Sequence, residues 1–308
     1  MSAVTYETLL RDLALADPRV VFLTAENRAA IRGVPAALGE RFVDVGIAEQ
    51  TLVGMSAGLA RSGRVPVAHA LATFLTMRAF EFIRSDVGVA RLPVKLVGFV
   101  PGFLSEANGP THQAIDDVGL MRAIPGMQVF CPADLPELIE ALPAIVASPA
   151  PAYLRYTAAP PAVTHVAPFA IGRAETLATE EGVSILTYGP LLREAERARL
   201  ALAARGVPVG LVNLRTLEPA DEQAILEAAR GAELVVTLED HFHRGGLHSI
   251  VAETCLKQRI APRVLGIDLG QSFFKPALLA DVLAHEGFTG ARIAERILGA
   301  LCHREAHA

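Results

Sequence analysis

The sequence contains no tryptophan, aromatic residues make up only 6% of it, and its three cysteines, Cys131, Cys255 and Cys302, are scattered without metal-ligand spacing. So sparse and odd a set of thiols excludes a disulfide framework and suits a reducing cytoplasm. Charge of one sign is also lacking: 28 Lys and Arg stand against 33 Asp and Glu, for a net charge of −5. No segment interleaves aromatics with Lys and Arg, so nucleic-acid and membrane-surface roles lose their usual footprint. No apolar run reaches the roughly 20 residues of a membrane span. The first stretch, MSAVTYETLLRDLALADPRV, is amphipathic and carries Glu7, Arg11 and Asp12 rather than a basic and then apolar signal pattern. The expectation is a cytoplasmic protein. What the chain has in plenty is apolar residues, 52% of 308, enough to bury a large core and to divide into two domains.

Apolar runs VVFLTA, VPVAHAL, VKLVGFV and MQVFCP alternate with helical patterns at about 47–62, 74–90, 113–123 and 134–147. Continuous apolar runs between helices indicate strands buried on both faces, hence an α/β fold of βα units on a mainly parallel, doubly wound sheet. The stretch TAAPPAVTHVAPFAIG, 157–172, is rich in Pro and Ala and has no periodicity, as an interdomain connection would. A second α/β series follows. VSILTYG, VPVGLVNL, ELVVTLED and PRVLGID read as strands, with helices at about 190–205, 219–230, 246–257 and 276–300. The expected division is 1–160, a linker over 161–172, and a smaller domain over 173–308.

Three stretches carry candidate chemistry. In VGIAEQTLVG, Glu49 sits where a strand-like run gives way to a helix of small and apolar residues. A buried carboxylate is costly unless paired or protonated, and such an acid suits proton exchange with a ring nitrogen. The plainer alternative is an exposed first-turn acid favoured by the helix dipole. In ATFLTMRAFEFIRSDV, Phe74, Met77 and Phe80 recur at helical spacing, as an apolar wall around a ligand or as ordinary core. In SEANGPTHQ, a Gly-Pro turn presents Asn108, Thr111, His112 and Gln113 at the end of VKLVGFV, either where ligands of parallel sheets gather or as a solvated turn. LEDHFHRGGLHS crowds His241, His243 and His248, but without a familiar zinc spacing. Its glycines mark a turn into a helix, a place to receive an anion or a neighbouring subunit.

In order and spacing, RFVDVGIAEQTLVGMSAGLA, ATFLTMRAFEFIRSDV, LPVKLVGFVPGFLSEANGPTHQAIDDVGLMRAIPGMQVFCPAD and EDHFHRGGLHSIVAE resemble the C-terminal portion of the transketolase family over nearly the whole chain. The likeness is strongest to the smaller subunit of split transketolases and weaker to the matching part of deoxyxylulose phosphate synthase. It implies a pyrimidine-binding domain followed by a transketolase C-terminal domain. It further implies that Glu49 hydrogen-bonds N1′ of the aminopyrimidine of thiamine diphosphate, favouring the imino tautomer that removes the thiazolium C2 proton. Phe74 would stack on that ring with Met77 and Phe80 as neighbours, and His112 would contact substrate oxygens. The family's diphosphate and its Mg²⁺ or Ca²⁺ are held by a GDG motif and a later Asn. No GDG occurs in this chain, so no metal residue is assigned to it. The resemblance implies half of a catalyst: a ketol-transferring subunit that acts with a separate N-terminal subunit, as a dimer of this chain within a heterotetramer.

The chain also departs from the family's pattern. Asn108 stands where transketolases have Asp in DGPTHQ, and a neutral amide donates as well as accepts. Val100 replaces a typical histidine, Pro101 replaces the synthase's arginine, and the phosphate-binding TR is missing from AVTYETLL, although Arg155 in AYLRYT matches a second phosphate-binding arginine. A depleted set of charge-assisted contacts points away from ordinary pentose phosphates, toward a specialised ketose, unusual or unphosphorylated. Alternatives are a decarboxylating 2-oxo acid enzyme subunit, like the synthase or a dehydrogenase β subunit, and a non-catalytic assembly subunit.

Overall fold

The computed structural model describes residues 4–302, and among these the strands fall into two sheets. The first contains β1 (Val20–Thr24), β2 (Phe42–Asp44), β3 (Val65–Leu71), β4 (Lys95–Phe99), β5 (Gln128–Phe130), β6 (Ala152–Arg155) and, from much later in the chain, β10 (Thr216–Glu218). Its order is β10-β5-β6-β4-β3-β1-β2, parallel except at β10. The second is built from β7 (Glu175–Ala178), β8 (Gly182–Thr187), β9 (Val209–Asn213), β11 (Ala232–Leu238) and β12 (Val264–Ile267). Its order is β12-β11-β8-β9-β7, parallel except at β7. Both are the parallel α/β sheets the apolar runs imply.

Every residue of β1 and of β4 is buried, which explains why their sequences are continuous rather than alternating. Lys95 is tolerated inside β4 because its Nζ donates to the Ser148 and Ala150 carbonyls, each at 2.6 Å. After β1 the chain winds outward to β2, then crosses over to β3 on the other side of β1. The winding direction therefore reverses between β1 and β3. In open parallel sheets the crevice at the carboxyl ends of such a pair is where ligands bind.

The expected helices appear at Glu49–Arg61, Leu135–Ala147, Leu192–Ala203, Glu222–Gly231 and Leu247–Lys257. Three expectations change. The 74–90 segment is not one α-helix but two π-helical stretches, Phe74–Arg78 and Ile83–Gly88, around the short α-helical Phe80–Phe82. The 113–123 helix shortens to Asp117–Arg122, because Gln113 is extended (φ −81°, ψ 103°) after the Gly109–Pro110 turn. The last helix divides into Leu279–His285 and Gly290–Cys302, with Gly287 at φ +78° ending the first half as only glycine does easily.

Two buried ion clusters tie the sheets together. Arg155, at the end of β6, donates through Nε to Asp117 (3.0 Å) and through Nη1 to Asp240 in the loop after β11 (2.6 Å). His165, in the connection, bridges Asp134 (3.2 Å) at the start of the 135–147 helix and Glu175 (2.7 Å) on β7. Beside them lie Glu137, Asn213 and Arg215. Bonds to Asp134 and then Glu175 push the His165 imidazole up to about 10. A cation raised above its unfolded value contributes stability fully below that value, about 6.5, and loses it as pH climbs through the folded value. The stability advantage of the native chain over His165→Gln, from urea unfolding, is therefore expected to be largest near pH 6 and to shrink toward pH 10. An advantage that stays flat over this interval would refute a charged tie.

Candidate active site

At the carboxyl ends of β1, β2 and β3 lies a cleft of about 460 Å³, lined by Ala25, Glu26, Asn27, Arg28, Ala29, Arg32, Ile47, Glu49, Leu71 and Phe74. It occupies the predicted crevice. Glu49 is the first residue of its helix and only 2% exposed, while the N-cap, Ala48, has no capping side chain. The site thus joins both readings of this residue: a first-turn acid, favoured by the helix dipole, that is nevertheless buried. The approach to it is fixed by Asp44, the last residue of β2. Its Oδ1 accepts from the amides of Glu26 (3.2 Å) and Gly46 (3.0 Å), and its Oδ2 lies 3.0 Å from Arg28 Nε. Gly46 sits at φ +72°, a turn glycine can make without strain.

Arg78, which the sequence reading passed over, completes this group. Its Nη1 donates to Glu49 Oε2 at 2.9 Å, and its guanidinium lies 4.3 Å from the centroid of the Phe74 ring. The π-helical winding accounts for the pairing. With hydrogen bonds running from i to i+5, residue i+4 returns to the face of residue i while i+3 swings away. Arg78 therefore shares a face with Phe74. Met77 does not line the cleft: it is 36% exposed, its sulfur accepting from Thr73 Oγ1 at 3.5 Å. Phe80 is half-buried and packs against the core. The signal for Arg78 was in the sequence, as a cation four residues after an aromatic.

His112 meets Phe74 edge to face, with ring centroids 5.0 Å apart, and its Nδ1 is 3.0 Å from Thr111 Oγ1. Asn108 is on the same loop, exposed, its amide donating to the Ser105 carbonyl. This loop leaves β4 through a strained start: Val100 has φ +50°, uncommon for a β-branched residue. Gly102 has to be glycine, since a Cβ there would fall 1.7 Å from Asp240 Oδ2. The structure therefore brings Glu49, Phe74 and His112 together, with Asn108 near the last. Arg155 is placed elsewhere. It is 3% exposed and engaged by Asp117, Asp240 and the Ala114 carbonyl.

Two other places were candidates. An apolar cavity of about 150 Å³ lies among Phe103, Leu191 and Leu283, but its acids are engaged, Asp240 by Arg155 and Glu194 by the Gly290 amide and Arg197. Among the described residues, Glu137, His165 and Glu175 bring ligand-type atoms within 4.8 Å of one another. These atoms already bond to each other, and Arg215 brings a resident cation to 3.5 Å from Glu137.

Fold and cleft together define a two-domain α/β protein with a paired carboxylate and an aromatic ring at the switch point of its first sheet. Residues 3–159 match the transketolase pyrimidine-binding domain and residues 172–293 the transketolase C-terminal domain. The chain belongs to the transketolase family. It is 38% identical to the 6-deoxy-6-sulfo-D-fructose transketolase subunit of Clostridium sp. strain MSTE9, over 82% of this chain and 79% of that one. It is 35% identical to the 1-deoxy-D-xylulose-5-phosphate synthase of Synechococcus sp. strain JA-2-3B'a(2-13), over 92% of this chain but 45% of that enzyme. Among solved structures it is similar to a split-gene transketolase described as an inactive β4 tetramer, with TM-score 0.86, 31% identity and coverage of 96% and 97% of the two chains.

The Glu49–Arg78 pair is testable in isolation. Removing Arg78 leaves a carboxylate that is 3% exposed without its partner, while Arg78 itself is 44% exposed and partly screened. A double-mutant cycle of Arg78→Ala and Glu49→Gln, read by urea unfolding, is expected to give a coupling of about 1 kcal/mol. Strict additivity would show that the two side chains do not stabilise each other.

Proposed function

We propose that this chain is the pyrimidine-binding subunit of a split, thiamine-diphosphate-dependent transketolase that moves a two-carbon ketol unit from a ketose donor to an aldose acceptor. The observation that carries this reading is the meeting of Glu49 and Phe74 in one cleft. A buried carboxylate beside a half-buried aromatic ring fits a planar heterocycle with a basic ring nitrogen. When bound, the cofactor supplies a nucleophilic carbon able to accept and release a carbonyl fragment. Glu49 would hold a proton at the ring nitrogen, the step that links this chain to the chemistry. Phe74 would fix the ring's plane, and an offset stack is worth about 0.5–1.5 kcal/mol beyond burial. His112, set against the Phe74 edge, would exchange a proton with the substrate's carbonyl oxygen.

The diphosphate and its Mg²⁺ or Ca²⁺ are assigned to a partner chain carrying the GDG motif, since oxygen ligands around a hard cation beside phosphate are what such a site requires. A cleft open on one side would admit water, so the reactive centre is assigned to an interface closed by that partner, with this chain as a dimer inside a heterotetramer. The relative's name, a sulfosugar transketolase subunit, supports a ketose other than the common pentose phosphates. The rival reading is a synthase-like decarboxylating carboligase; release of carbon dioxide from pyruvate by the assembled complex would favour it.

The test is calorimetric titration of thiamine diphosphate with Mg²⁺ into this chain, into the pair with its GDG-bearing partner, and into the pair carrying Glu49→Gln. Binding is expected only in the paired samples, and turnover in the Glu49 variant is expected to fall about a hundredfold or more. Undiminished turnover in that variant would leave the chain as an assembly subunit.

A further inference from the structure

Of the three histidines that crowd the loop after β11, the packing of the fold uses one. His241 is fully buried, its Nδ1 lies 2.7 Å from the Phe242 carbonyl, and its Nε2 accepts from the Gly119 amide at 3.2 Å. Both of its ring nitrogens are taken. His243 and His248 are left over, and the proposed chemistry uses neither. A glycine turn, with Gly245 at φ +90°, brings His248 back toward His243 at the start of the helix Leu247–Lys257. Their rings lie with centroids 4.1 Å apart and planes 34° from parallel. The pair fits because residue 266 of β12 is glycine. A Cβ there would fall 2.8 Å from Asp268 Oδ2, 3.3 Å from His248 Nδ1 and 3.4 Å from His243 Cε1.

Each ring is oriented through its Nδ1. That of His243 is 2.7 Å from Asp268 Oδ2, an acceptor, which places the proton of the neutral ring on Nδ1 and the lone pair on Nε2. Asp268 is itself buried and fixed, its Oδ1 accepting from the Gly270 amide at 2.8 Å. His248 Nδ1 is 3.2 Å from Thr237 Oγ1, a hydroxyl able to accept in the same way. The backbones are held as well: the His243 amide donates to the Gly270 carbonyl (3.0 Å) and the His248 amide to Glu239 Oε1 (2.8 Å). Among the described residues no protein group bonds either Nε2, and the His243 side chain is 46% exposed.

We infer that His243 and His248 bind a divalent transition cation, Zn²⁺ or Cu²⁺, through their Nε2 atoms, with water completing its coordination. A ligating imidazole almost always gives its other ring N–H to a carboxylate, a carbonyl or water, which fixes the tautomer and raises the basicity of the ligating nitrogen. Here Asp268 and Thr237 take that part. Imidazole suits Zn²⁺ and Cu²⁺, whereas Mg²⁺ and Ca²⁺ prefer oxygen. The sequence shows no zinc spacing at this point because no single helix face carries the two ligands: a glycine turn and a bare position on β12 bring them together. Such an ion would fasten the loop after β11 to the helix that follows. That loop also supports the segment that carries His112, since the Phe242 amide donates to the Ile115 carbonyl at 2.8 Å.

The test is calorimetric titration of Zn²⁺, Cu²⁺ and Mg²⁺ into the full chain, in a Cys302→Ser background because Cys302 is an exposed thiol. One saturable site is expected for Zn²⁺, a tighter one for Cu²⁺, and none for Mg²⁺. His243→Ala and His248→Ala are each expected to weaken Zn²⁺ binding at least about tenfold, and Asp268→Asn, which alters only the orienting group, about tenfold. Zn²⁺ should also raise the Tm of the native chain, and His243→Ala should abolish that rise while leaving the metal-free Tm unchanged. The metal-free Tm shows that the variant is folded. A native chain without a saturable Zn²⁺ site, or an affinity that survives both alanine variants, would overturn the inference.

Discussion

A carboxylate with 2% exposure has to be compensated, and much of the site follows from how Glu49 is. Its partner does not come from the first sheet, where the buried cation Lys95 is already taken by the Ser148 and Ala150 carbonyls. It comes from Arg78, carried to Glu49 by a π-helical turn that also sets the guanidinium over Phe74. One winding irregularity therefore does two things: it pairs the buried acid and it stiffens the aromatic face beside it. The position of this group is set one level higher, by topology. The reversal of winding between β1 and β3 leaves a crevice at their carboxyl ends, and the residues after β1, β2 and β3 have no other place to converge.

The second sheet contributes nothing to the lining of this cleft, yet its attachment matters to it. Asp240, from the loop after β11, both anchors Arg155 and accepts from the Phe103 amide (3.3 Å). Phe103 belongs to the loop that runs from β4 to His112. The start of that loop, with Val100 at φ +50°, is thus pinned from the second sheet. Strain of this kind, about 1–3 kcal/mol, persists only where surrounding contacts over-determine the backbone. Buried pairs such as Arg155–Asp117–Asp240 add little net stability because desolvation offsets their attraction, but breaking one is costly. They specify a geometry more than they strengthen it, and here the geometry is the relation between His112 and Phe74.

The α/β architecture was legible because fully buried parallel strands write themselves as unbroken apolar runs. β6, β7 and β10 were not, since AYLR, ETLA and TLE each mix polar with apolar residues and present no unbroken apolar run, and β10 joins the first sheet from within the second half of the chain. Glu49, Phe74 and His112 could be named because their motifs are specific, and the structure sets them side by side. The grouping of Met77 and Phe80 with Phe74 assumed α-helical spacing, which a π-turn does not obey. Arg155 reads in sequence as a free cation at a strand end. Only the fold reveals that two aspartates, 38 and 85 residues away in the chain, already hold it.

What distinguishes the arginines of the first sheet and its loops is how much of their capacity is already taken. Arg155 is consumed by two carboxylates, Arg78 by one carboxylate and a ring, and Arg28 along one edge by Asp44. Arg32 alone among these four has no such partner within the described residues. The three engaged arginines are held in fixed geometries, because a guanidinium bonded along one or more edges has given up the rotamer freedom that an unengaged one keeps. Glu49 and Arg78 stand on different elements, the helix after β2 and the π-helical turn after β3, so their pairing requires both crossovers to be in place.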